Sequence, residues 1–255
     1  KKNLKKKIRF NLQEIHEIKA KMMLDMMHYG FGIFENKDKI EYYRNKILSI
    51  SNDLEIRGKS HSYSGYSYYN IFYKYSKSIE HYNKALQILE FPENKDYRPI
   101  QIRVLVNLNA SLLKLKIFDQ VEKNYARLEE TILDMSSNKR YKNLKELLKI
   151  EKAFILIHKQ EFEESLKILN SIDKNNLDRD QLKHRYYDTN HRGYLGSKNY
   201  SLGEYYFDKA YPIDEYKDDF YFLNKLRYAI GSKNIEKADL YYSKIEIKNN
   251  NVFMF

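Results

Sequence analysis

Leu195-Gly196-Ser197-Lys198-Asn199-Tyr200 is followed, 35 residues further on, by Ile230-Gly231-Ser232-Lys233-Asn234-Ile235. The same spacing recurs after each copy: Gly203, Phe207 and Lys209 after the first, Ala238, Tyr242 and Lys244 after the second. A self-match with a period of about 34 residues is the signature of stacked helix–turn–helix units. Each unit is too small to bury its apolar face alone and must pack on its neighbours. The pattern predicts an all-α solenoid of stacked helical hairpins, a class that binds other chains.

Outward from this stretch the composition favours helix almost everywhere. The 255 residues hold three Pro and eight Gly, and apolar residues recur at three- and four-residue spacings instead of alternating. About six hairpins are expected. The first runs over about residues 16–52, with a turn at Asn36-Lys37-Asp38 and a second helix carrying Ile40, Tyr43, Ile47 and Leu48. Later pairs are expected at 60–73 with 75–86, 100–116 with 118–135, 141–158 with 162–172, 182–195 with 200–211, and 219–230 with 235–247. Pro92 and Pro99 bracket a loop and Pro212 stops a helix. Met22, Met23, Met26 and Met27 read as core filler of the first hairpin. Residues 1–15, with the stripe Leu4, Ile8, Leu12 and Ile15, read as a basic amphipathic helix serving as a linker or cap. Residues 16–255 form the repeat domain. Val252-Phe253-Met254-Phe255 reads as the apolar start of a further unit or as a tail over the last one.

The net charge is +11, which invites a nucleic-acid reading. Six of those charges are Lys1, Lys2, Lys5, Lys6, Lys7 and Arg9, leaving +5 on the rest of the chain. Lys outnumbers Arg 35 to 11 in a chain also rich in Asn, Ile and Tyr. A nucleotide composition rich in A and T explains much of that lysine. The absence of Cys excludes disulfides and thiolate chemistry and fits a cytoplasmic protein. No apolar run approaches the roughly 18 residues of a membrane helix, and the basic start lacks the apolar stretch of a secretion signal. No phosphate-binding glycine loop, zinc-protease motif or nucleophile elbow occurs, so no enzyme and no cofactor are expected. His184, Asp188 and His191 share a helix face, but with no clear fourth ligand no metal is expected either.

The second helices align on one pattern. Tyr75, Phe118, Phe162, Tyr200 and Ile235 open them; Ser78, Val121, Ser165, Gly203 and Ala238 follow three residues on. Tyr82, Tyr125, Leu169, Phe207 and Tyr242 come four later, then Ala85, Leu128, Ile172, Ala210 and Ile245. This resembles the tetratricopeptide repeat, in which a small residue lets the two helices approach and an aromatic fills the gap to the next repeat, and the resemblance implies an all-α, right-handed superhelical solenoid. Departures are plain. The first-helix small position holds Tyr66, Asn109, Ala153, His191 and Leu226, of which only Ala153 conforms, and intervals run from 35 to 44 residues. Degenerate arrays of this composition are similar to the peptide-sensing regulators of Gram-positive bacteria and their phages, of the Rap, PlcR, Rgg and arbitrium-receptor type. That resemblance implies a short signalling peptide in the concave groove, a homodimer as one assembly, and quorum-sensing-type control of transcription. DNA contact would pass through an N-terminal domain preceding Lys1, to which the stripe Leu4–Ile15 would be the linker. The alternatives are a generic scaffold docking a protein partner and a nucleic-acid binder using the basic surface.

In this architecture the first helix of each pair lines the groove. The positions expected to look into it include Tyr63, Asn70, Arg103, Asn107, Arg185, Asp188, Arg192, Asn224 and Arg227, with His158 just beyond them. An Asn amide can donate to and accept from an extended peptide backbone, and Arg can hold a carboxylate with two parallel bonds. Asn107 and Asn224 share a repeat position, as do Arg192 and Arg227. The peptide-binding set is therefore Asn107, Asn224, Arg192, Arg227, Arg103, Arg185, Asn70 and Tyr63. The 25 tyrosines, among them Tyr63, Tyr66, Tyr69 and Tyr73 on one broad face, suit either an aromatic groove or packing between repeats.

Overall fold

The computed structural model describes residues 11–29, 36–90, 96–135, 141–212 and 218–245. Among them every regular element is helical. The basic start with Leu4 and Ile8, Pro92, and residues 252–255 lie outside the described residues. Twelve α-helices occur among the described residues, and the chain divides into two compact units, Lys1–Asp134 and Met135–Phe255. Unit 1 holds α1 (Leu12–Tyr29), α2 (Lys37–Ile50), α3 (Leu54–Asn70), α4 (Tyr75–Leu89), α5 (Arg98–Lys114) and α6 (Phe118–Leu133). Unit 2 holds α7 (Tyr141–His158), α8 (Phe162–Asn170), α9 (Asp180–Gly196), α10 (Tyr200–Ala210), α11 (Asp219–Gly231) and α12 (Ile235–Tyr242). The expected hairpins are thus present to within a few residues. The largest differences are the start of α3, six residues early, and the end of α12, five early.

Five hairpin turns share one backbone device. Tyr73, Lys116, Gln160, Lys198 and Lys233 have φ between 51° and 66°, the left-handed region, although none is glycine. In each turn the next residue's N–H bonds back to a carbonyl of the preceding helix: Lys74 to Tyr68 (2.8 Å), Ile117 to Leu112 (3.0 Å), Glu161 to Leu156, Asn199 to Tyr194 and Asn234 to Ala229 (each 2.9 Å). This closes orphan carbonyls at the helix end and reverses the chain.

The quoted stretch is this turn written in residues. Ser197 and Ser232 hydroxyls donate to Tyr194 O (3.1 Å) and Tyr228 O (2.8 Å). Lys198 and Lys233 adopt the left-handed conformation. Asn199 and Asn234 cap the next helix, accepting from Leu202 N (3.3 Å) and Lys237 N (3.0 Å). Gly196 and Gly231 are required for a different reason. The rings of Phe162 and Tyr200 lie where a Cβ would stand. The aromatic opening one hairpin's second helix thus packs on the glycine ending the next hairpin's first helix.

Left-handed φ costs an L-residue about 1–2 kcal/mol, and glycine's extra freedom in the unfolded chain takes back about 0.5–1 kcal/mol. Lys198→Gly and Lys233→Gly are each expected to stabilise unit 2, by up to about 1 kcal/mol. Urea unfolding measures this, and a lower midpoint in both variants would contradict the turn assignment.

Packing follows the small-then-large pattern. Ser78 and Ser165, fully buried, bring their hairpins' helices together and donate to the Gly65 carbonyl (2.8 Å) and the Ala153 carbonyl (2.9 Å). Tyr82, Leu169 and Phe207 fill the gaps beside them. In unit 1 the α1–α2 core is Ala20, Leu24, Met27, Ile40 and Ile47, with Met23 and Tyr63 packed on it. Met22 and Met26 of the methionine group face solvent. In unit 2, Ile150, Ala153, Leu169, Ile172, Leu182 and Tyr186 form one cluster and Phe207, Tyr221 and Tyr228 another. Burying a large apolar side chain contributes about 1.5–3 kcal/mol, so these clusters, rather than helix propensity, hold the units together. On the last hairpin Ile235 and Tyr242 occupy the opening and large positions of the pattern but are exposed.

Candidate functional site

In unit 2 the first helices of successive hairpins are α7, α9 and α11, and their polar side chains form a connected set. Glu151, buried on α7, takes two bonds from the Arg185 guanidinium of α9, one from Nε and one from Nη2 at 2.8 Å. These residues stand 34 apart, one repeat. One turn along α9, Asp188 accepts from Arg192 Nε (2.9 Å) and Nη2 (3.3 Å) and from the Tyr211 hydroxyl (2.7 Å). Both arginines approach Phe154 of α7. Its ring centroid is 5.4 Å from Arg185 Cζ and 6.0 Å from Arg192 Cζ, within reach of cation–π attraction. His158 closes the row, its ring 4.8 Å from Phe154 and steeply inclined to it.

His191 joins α9 to α11. Its Nδ1 is 2.7 Å from the Tyr228 hydroxyl, and Nε2 is 3.2 Å from Asp188 Oδ1 in a geometry short of a well-aligned hydrogen bond. Facing a carboxylate, Nε2 carries the proton, so Nδ1 accepts from Tyr228. Burial alone would raise the Asp188 carboxyl, but the Arg192 charge and the His191 contact outweigh it and hold the group well below the carboxylate range. Burial lowers His191, with Asp188 opposing and Arg192 and Arg227 adding to the shift, so the ring is neutral. Burial opposes the Arg192 charge, yet Asp188 holds that group above its ordinary value. Burial together with Asp188 pushes the Tyr211 hydroxyl up. The result is two partly exposed guanidiniums, both within reach of one apolar ring and each oriented by a carboxylate less exposed than itself.

The expected groove residues divide between the units. In unit 2, Arg185 and Arg192 come together around Phe154, and Arg227 is exposed on α11. Asn224 is buried, and its Nδ2 donates to the Phe220 carbonyl of its own helix at 2.8 Å. In unit 1, Arg103 is exposed and Asn107 half-buried on α5. On α3, Asn70 is exposed and donates to Tyr66 O (3.2 Å). Tyr63 is half-buried, stacked on His28 with ring centroids 5.0 Å apart. Of its neighbours, Tyr66 and Tyr73 are exposed, while Tyr69 packs on Tyr75 at 5.4 Å. Reading by repeat position missed Phe154, Glu151, Tyr211 and Tyr228. Glu151 carries a usable signal, since residues one repeat apart on first helices are neighbours. No group of three His, Asp or Glu placed to hold a metal occurs among the described residues.

Antiparallel helix pairs with a small residue at the crossing and an aromatic towards the next pair define a tetratricopeptide-type repeat protein. Comparison with known families matches residues 123–250 to the SusR N-terminal TPR domain. That is half of the chain, and the chain belongs to this family. No curated protein matches it. Such a domain supports a protein-binding or scaffold role. None of the described helices is long and apolar enough to cross a membrane.

Proposed function

We propose that the chain is the ligand-sensing domain of a regulator and binds a short extended peptide along α7, α9 and α11 of unit 2. The observation that carries this is the Arg185–Phe154–Arg192 row, whose arginines are oriented in advance by Glu151 and Asp188. Pre-oriented donors lose little freedom on binding. An apolar side chain packs on Phe154, while a carboxylate of the peptide takes guanidinium N–H donors. Arg227 extends the cationic row along α11. Arg103, Asn107, Asn70 and Tyr63 are further contacts proposed on unit 1, and Asn224 contributes by what its packing leaves accessible. Peptide binding would act on transcription through a DNA-binding segment of the full protein, as in a quorum-sensing-type regulator; a scaffold docking a folded partner is the competing reading.

The test is selection of a random-peptide display library on the full chain, followed by calorimetry of the enriched peptide. Peptides carrying an acidic group beside an apolar residue are expected. Phe154→Ala and Arg192→Ala are each expected to weaken binding by about tenfold, the effect of losing roughly 1.4 kcal/mol. No enrichment, or wild-type affinity in both variants, would overturn the proposal.

A further inference from the structure

Unit 1 carries a pocket that the peptide reading does not use. Its volume is about 250 Å³, and it is lined by Lys37, Tyr68, Phe72, Lys74 and Lys77. Three helix ends meet there: the start of α2 at Lys37, the end of α3 with Tyr68 and Phe72, and the start of α4 behind Lys74. Phe72 is the accessible apolar wall. Tyr68 lies beneath, buried, with Lys77 Nζ 5.7 Å from its ring centroid. Its ring is stacked on His81 at 5.2 Å, and its hydroxyl donates to Glu41.

The charge arrangement is the informative part. Lys37, Lys74 and Lys77 are exposed, and among the described residues no carboxylate lines the pocket. The nearby acids are held mainly by other cations: Glu41 pairs with Arg44, and Glu80, one turn on from Lys77 and feeling its charge, pairs with Lys84 at 2.6 Å. Asp38, beside Lys37, is exposed. A helix start is already positive and prefers acidic neighbours. Here α4 begins with Lys74 as its cap residue, makes no side-chain capping bond, has no acid in its first turn, and carries Lys77 there. That placement opposes the helix's own dipole, and an anion in the pocket relieves it. Three compact ammonium charges suit a phosphoryl dianion, while paired planar donors would suit a carboxylate. The Phe72 wall beside them suits a ring.

We propose that this pocket binds a small ring-bearing phosphate monoester, its phosphoryl group among Lys37, Lys74 and Lys77 and its ring against Phe72. The full chain would be titrated calorimetrically with phenyl phosphate, adenosine monophosphate, inorganic phosphate and benzoate. At least one of the two esters is expected to bind with a dissociation constant below about 1 mM and several-fold more tightly than inorganic phosphate or benzoate. Preference between the esters distinguishes an aryl phosphate from a nucleotide as the source. Lys74→Gln/Lys77→Gln is expected to weaken ester binding about tenfold or more and to flatten its salt dependence. These lysines are exposed, outside the core and opposed to the α4 dipole, so the thermal midpoint should not fall. Phe72→Leu is expected to lower the preference for the ester over inorganic phosphate. No ester binding, equal binding of benzoate, or an unchanged affinity in the double lysine variant would overturn the proposal.

Discussion

Asp188→Ala is expected to destabilise unit 2 by about 2–3 kcal/mol, read as a lower urea midpoint with an unchanged slope. The carboxylate is the common partner of Arg192, Tyr211 and His191, which come from α9 and from the end of α10. Removing it leaves a guanidinium and a hydroxyl without their acceptor and takes away the charge that faces His191 Nε2. Breaking a fully buried pair costs about 3–5 kcal/mol. The smaller figure applies because the Arg192 side chain is 38% exposed and can turn to water. Arg192→Ala is therefore expected to be milder for stability than Asp188→Ala, although it removes a proposed ligand contact. If the two variants lost stability equally, Asp188 would matter only through Arg192, and the wider network would be wrong.

Glu151→Gln tests the same idea at the other end of the row. It keeps the shape and one acceptor for Arg185 while removing the charge. The two ends differ in what surrounds the acid. Glu151 is paired across helices with Arg185, whereas Asp188 has its arginine on its own helix and its tyrosine from another. Asp188 therefore binds helices together through Tyr211, and Glu151 does so through Arg185 directly. A peptide that drew Arg185 away from Glu151 would loosen the α7–α9 contact. That is a physical route from ligand to conformational change, since a ligand shifts an equilibrium only by interacting differently with its two states.

The architecture was legible in sequence because each part of the repeated Gly-Ser-Lys-Asn stretch has a local job. The glycine leaves room for an aromatic, the serine bonds back to its helix, the lysine turns the chain and the asparagine starts the next helix. Such short-range effects survive drift in the rest of the repeat. The site was legible only in part. Arg185 and Arg192 of the candidate row were named by repeat position, but Phe154 reads as one apolar residue among many on α7. Asn107 and Asn224 share a position by counting, yet one is half-buried and the other buried. Where intervals vary from 35 to 44 residues, equal counts do not fix equal rotation about the helix axis. Buried polar groups such as His191 stand where the repeat pattern expects a small residue, and single-chain periodicity gives no partner for them.

Acid is expected to destabilise unit 1 steeply between pH 6.5 and pH 5, through His61 and His81. Both are buried on the α3–α4 hairpin, with their Nδ1 atoms 3.2 Å apart. Arg44 Nη1 stands 3.1 Å from His81 Nε2. A guanidinium only donates, so His81 accepts at Nε2, carries its proton on Nδ1, and donates it to His61 Nδ1. Each ring thus meets a donor at its unprotonated nitrogen, and a second proton would put two N–H groups face to face. Burial and the neighbouring charges of His81 and Arg44 bring His61 down to about 3. Burial and Arg44 bring His81 down to about 4, against the opposing pull of Glu41, 3.7 Å away, and Glu80. In the unfolded chain both titrate near 6.5. Below that value the unfolded state binds more protons than the folded one, so stability falls as pH falls. Each ring contributes at most about 2 kcal/mol of loss between pH 6.5 and pH 5, at roughly 1.4 kcal/mol per pH unit. Glu41 and Glu17, whose carboxyls sit below their ordinary value, add a loss of the same sign only at lower pH. His191 adds to the same window from unit 2. The two units are separated by comparing the full chain with its His61→Phe/His81→Phe variant in circular-dichroism melts at pH 7, 6 and 5. The variant starts lower at pH 7, because Arg44 loses its acceptor, but its melting temperature should fall less between pH 7 and pH 5. Parallel curves for the two proteins would show that the histidine pair does not set the acid response.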